Sequence, residues 1–65
     1  MKPTFKVLGI CENLESVELF DSDSFMDCRD WIWRYVKNGD DGNYPMIVIA
    51  IYLDNELQSW VREYG

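Results

Sequence analysis

A chain of 65 residues carrying twelve acids against six bases, a formal net charge of −6, has room for one small core and excludes a second domain. An apolar fraction of 48%, with three Trp, four Tyr and three Phe, is too high for a disordered segment, so the chain is expected to fold. The acidic balance argues against direct nucleic-acid binding, which needs Lys and Arg to neutralise phosphates, and favours a partner with a basic surface.

Thr4 to Cys11 is rich in strand formers and reads as a first strand, with Phe5, Val7 and Cys11 on one side and Lys6, Leu8 and Ile10 on the other. Glu12-Asn13 is a turn. Glu15 to Phe20 follows as a second strand, alternating Val17 and Leu19 against Ser16, Glu18 and Phe20, which closes a first hairpin.

Asp21-Ser22-Asp23-Ser24 supplies N-cap residues and carboxylates suited to the positive end of a helix dipole, so a helix begins near Ser22 to Ser24. Phe25, Cys28, Ile32, Tyr35 and Val36 recur at helical spacing, with Trp31 at the edge of the stripe, and mark its core face. Asn38-Gly39 provides a C-terminal cap, and the aperiodic, turn-rich segment Asp40 to Pro45 reads as a surface loop.

Met46 to Leu53 carries apolar residues on both faces and is expected to be a central strand. Asp54-Asn55 tolerates the positive φ of a tight hairpin turn, and Glu56 to Tyr64 returns as a fourth strand. The predicted class is α+β: a small antiparallel sheet of two hairpins with one helix packed on it, in the order β-β-α-β-β. Pairing Leu53 with Glu56 sets Ile49 opposite Trp60 on one face, and Val48 opposite Val61 and Tyr52 opposite Leu57 on the other. One helix covers one face, so the second is left for a dimer contact or a large partner, unless sheet twist, loop and chain ends hide it.

Catalysis has little to work with. Histidine is absent, which removes Ser-His and Cys-His dyads and most zinc sites, and the carboxylates have no cleft a chain of this size is expected to build. The glycines at 9, 39, 42 and 65 form no phosphate-binding loop. Asp40, Asp41 and Asn43 lack EF-hand spacing, so neither a metal nor another cofactor is expected. A third reading, ranked last, makes that loop a small-ligand module. Cys11 and Cys28 read as reduced, buried small hydrophobes, with a structural disulfide between them as the minor alternative. The N-terminal residues lack a secretory apolar region, and the longest apolar run, eight residues from Met46 to Leu53, falls short of the roughly 20 a helical span needs. The expectation is a cytoplasmic protein with no membrane partner.

Two features point to binding. Seven acids (Glu12, Glu15, Glu18, Asp21, Asp23, Asp27, Asp30) fall within 19 residues with one base, Arg29, among them. They form either a solvated face or a surface that imitates nucleic acid toward a basic groove. Trp33 lies on the helix side opposite the core stripe, with Met26 one heptad earlier, and Arg29 and Arg34 nearby. Trp and Arg are enriched among residues that dominate interfaces, so Trp33 is either a partner anchor or satellite packing over a loop or strand edge. Trp31 and Trp60 are assigned to the core or its rim. The candidate partner-binding set is Trp33, Met26, Arg29, Arg34, Asp23, Asp27, Asp30 and Glu18.

The strand Phe5 to Ile10, the helical Trp31 and Tyr35, and the hairpin Ala50 to Arg62 around Asp54-Asn55 give a layout that resembles the Dmd family of small phage antitoxins. More broadly, length, charge and lack of catalytic groups are similar to those of small acidic phage inhibitors of the anti-CRISPR and anti-restriction kinds. The resemblance implies a non-catalytic inhibitor that occludes the basic nucleic-acid channel of a host nuclease, CRISPR effector or toxin, in the host cytoplasm. The competing reading is a structural or assembly protein that oligomerises, as a homodimer in the simplest case, through the uncovered sheet face.

Overall fold

The computed structural model describes residues 2–39 and 44–65. The order is β1 (Thr4–Ile10), β2 (Ser16–Ser22), α1 (Phe25–Lys37), β3 (Met46–Leu53) and β4 (Glu56–Tyr64). The strands form one antiparallel sheet in the order β2-β1-β3-β4, which places β3 inside, as its β-branched composition predicts. Asp54 and Asn55 turn the second hairpin at φ 53° and 67°, the positive values a two-residue loop requires. Among the described residues no helix is long and apolar enough to cross a membrane.

The helix lies over β2, β1 and β3 and leaves β4 at its margin. Beneath it, Val7, Ile47 and Ile49 from the sheet meet Cys28 and Ile32 from the helix. Aromatic rings close the rim: Trp31 stacks between Phe20 and Tyr35, and Phe25 meets Phe5 edge to face. Tyr44 lies against Gly9 so closely that a Cβ at Gly9 would come within 2.6 Å of its ring. That contact pins the start of the second hairpin to β1.

Three bulges change which side chains share a face. In β2, Val7 pairs with Phe20 and Leu8 with Glu18, so Leu19 is the extra residue. Leu19 and Phe20 therefore both pack toward the core, where strict alternation separates them. In β4, Tyr52 pairs with Leu57 as expected, but Ile51 pairs with Ser59, leaving Gln58 as the extra residue. Everything beyond it slips by one: Ile49 faces Val61, Ala50 faces Trp60 and Val48 faces Arg62. The expected Ile49–Trp60 and Val48–Val61 pairs are thereby corrected, because one inserted residue exchanges the faces of all that follow. Trp60 moves from the assigned core or rim to the face away from the helix, where it is 57% exposed. A third bulge at Glu63 sends Glu63 and Tyr64 together toward α1.

Candidate functional site

The helix starts where its local chemistry predicts. Ser24 has extended backbone and its Oγ accepts from the Asp27 N–H at 3.4 Å. Ser22 Oγ accepts from the Ser24 N–H at 3.1 Å and donates to the Asp27 carboxylate at 3.4 Å. Asp27 thus belongs to the cap as well as to the surface, with its charge at the positive end of the helix dipole. Arg34 and Lys37 in the last turn complete the same pattern at the other end.

With Cys28 and Ile32 turned inward, helical geometry sends Met26, Asp30, Trp33 and Lys37 to the outer side. Trp33 is 70% and Met26 58% exposed. Because β4 lies beyond the margin of the helix, a groove of about 630 Å3 opens between them. Its walls are Arg29, Trp33, Val36 and Lys37 from α1, with Glu63 and Tyr64 from β4. Arg29 Nε approaches Glu63 Oε2 at 3.6 Å, an ion pair too long to be a hydrogen bond, and among the described residues this buried nitrogen has no hydrogen-bond partner. The groove is therefore apolar along its length, with the Arg29–Glu63 pair and Lys37 as its charged groups.

The predicted set is brought together only in part. Met26, Arg29 and Trp33 share the flank of α1 that borders the groove, and Asp30 and Arg34 lie exposed on its outer side. Asp23 and Asp27 stand at the helix start, at the same end of the sheet as the Asp54-Asn55 turn. Glu18 does not join them: it projects from the opposite face of the sheet and pairs with Lys6 at 3.2 Å. Glu12 and Glu15 sit at the far end, in the first hairpin turn. The acidic run is thus divided over three places: by strand register Asp21 shares Glu18's face of the sheet, and only Asp23, Asp27 and Asp30 gather near the helix start. Glu63 and Tyr64, which complete the groove, escaped the sequence reading because no residue pattern marks the bulge that aims them.

Cys11 and Cys28 are free thiols. Cys28 is buried and its Sγ–H donates to the Phe5 carbonyl at 3.9 Å, whereas Cys11 is half-exposed, against the expectation that both are buried. Burial raises the Cys28 pKa above the ordinary thiol value, and the charges of Asp27 and Asp21 push in the same direction. Among the described residues no group of three or more His, Cys, Asp or Glu is placed to hold a metal ion. The loop residues Asp40, Asp41 and Asn43 lie outside the described residues. Compared with protein-family models, curated proteins and solved structures, the chain matches none at a significant level.

Proposed function

We propose that the protein is a non-catalytic inhibitor that binds a nucleic-acid enzyme of a host cell, a nuclease, toxin or CRISPR effector, and occludes its basic channel. The observation that carries this reading is Trp33: an indole 70% exposed on the outer side of the helix, bordering an apolar groove, with Met26 one heptad away. An exposed Trp beside a groove has the composition of an interface anchor, since such residues supply most binding energy when a partner desolvates them. The carboxylates of Asp23, Asp27 and Asp30 at and near the helix start supply the charge complementary to Lys and Arg on the partner. The likeness in layout to small phage antitoxins and phage inhibitors of host defence agrees with this role.

The test is affinity capture from bacterial lysate with the wild-type protein beside Trp33→Ala and Asp23→Lys/Asp30→Lys. A nuclease, toxin or CRISPR component held by wild type, lost with Trp33→Ala and held less firmly by the charge reversal, with the deficit largest at low salt, is the expected result. Retention unchanged by all three substitutions would remove the helix from the contact. Asp27 is left intact because its reversal loses the Ser22 contact and the favourable charge at the helix start, which confuses binding with folding.

A further inference from the structure

The face of the sheet turned away from α1 is built for an occupant, and we infer that it seats a second copy of this chain about a two-fold axis. Three observations lead there. The first is shape. Leu8, Ile10, Met46, Val48 and Ala50 floor a depression of about 210 Å3, and beside it stand Trp60 and Leu57, 57% and 55% exposed. A two-fold interface uses the same patch on both partners, so it requires a projection adjoining a hollow. Trp60 of each copy then fills the depression of the other.

The second observation is charge. Two copies of a chain with net charge −6 repel unless they meet where the charge is balanced. By strand register the open face carries Lys6 and Arg62 against Glu18 and Asp21, two bases and two acids. Lys6 is further held at 3.2 Å from Glu18 and 5.1 Å from the Tyr52 ring. The other described acids stand on the helix, in the turns and elsewhere off this face, so a second copy meets a balanced set of described charges here and a partner with a basic surface meets the acids at the helix start.

The third is size. The molecule is a slab of 35 × 25 × 14 Å, and its broad face is of the same order as the ~800 Å2 per partner of a standard stable interface. Sheet-on-sheet packing through this face gives four layers, helix, sheet, sheet, helix, with apolar side chains between sheets about 10 Å apart. Both Trp33 surfaces point outward in such a dimer. Self-association and binding at α1 use separate surfaces, so either can fail without the other.

Sedimentation equilibrium up to on the order of 100 μM tests the inference, with wild type expected at twice its 7.7 kDa chain mass. Trp60→Lys should weaken the dimer by at least about 30-fold, while Val61→Lys, one residue along but on the helix side, leaves it intact. Circular dichroism checks folding, and Leu57→Lys replaces Trp60→Lys if the latter unfolds. In wild-type protein, isotope-filtered NMR should give intermolecular contacts from the Trp60 indole to the Leu8 and Ile10 methyls. A wild-type monomer at the highest concentration overturns the inference. So does a dimer that lacks those contacts, or one that survives in a folded Trp60→Lys or Leu57→Lys variant.

Discussion

Of the described non-glycine residues at positive φ, Leu14, Asp54 and Asn55, Leu14 is the one whose side chain suits that backbone least. It sits in the first hairpin turn at φ 69° with its side chain 82% exposed, so it bears the cost of a left-handed backbone without packing in return. Its N–H donates to Cys11 O, and Cys11 N–H donates to Glu15 O, so the turn itself holds the conformation. Leu14→Gly should therefore raise stability by about 0.5–1 kcal/mol, seen as a higher denaturant midpoint at unchanged slope. The two thiols separate just as sharply. Under native conditions iodoacetamide should modify Cys11 and spare Cys28, which is buried and held protonated, with both reacting in denaturant. The sign of the linkage follows. The Cys28 thiol loses its proton more easily in the unfolded chain, so its contribution to stability is whole below the ordinary value of 9.0 and declines as pH rises through the higher folded value.

At the scale of elements, the strands and helix were legible because each carries its own period, and the caps because Ser and Asp have a local job. Ser24 is the clearest case: its Oγ satisfies an otherwise unpaired N–H at the helix start, so Ser24→Ala should cost about 1 kcal/mol, measured by chemical denaturation. Asp27→Lys should cost a comparable amount through the lost Ser22 contact and a reversed charge at the dipole. What sequence could not convey is register. The extra residues Leu19, Gln58 and Glu63 are ordinary strand residues, and a bulge depends on what packs across it rather than on a turn former in the chain. Gln58 alone decides that Trp60 lies on the open face and Val61 on the helix side. For the same reason the outer position of Trp33 was legible, being a matter of helical spacing, while the β4 wall of its groove was not. The dispersal of the acids has a similar cause, since proximity in sequence says nothing of which sheet face each carboxylate takes.

The whole molecule is thin, and its stability rests on few residues. A domain of 65 residues has about 3–10 kcal/mol of stability at the usual 0.05–0.15 kcal/mol per residue. Val7, Cys28, Ile32, Ile47 and Ile49 are the buried residues of the helix–sheet core, and Ile49 is fully enclosed with Val61 opposite it. Ile49→Ala removes buried methyl and methylene groups and leaves a cavity in a layer with little freedom to collapse, at a cost of about 2–5 kcal/mol. That is a large share of the total, so the expected outcome is a much lower thermal midpoint, with partial unfolding at 37 °C when the protein is dilute. Trp33→Ala, removing a larger side chain from an exposed position, should shift the midpoint by far less. A thermal scan of the two variants beside wild type separates the layers by role: a loss of similar size for both would mean that Trp33 supports the fold, whereas the contrast leaves the indole free for a partner.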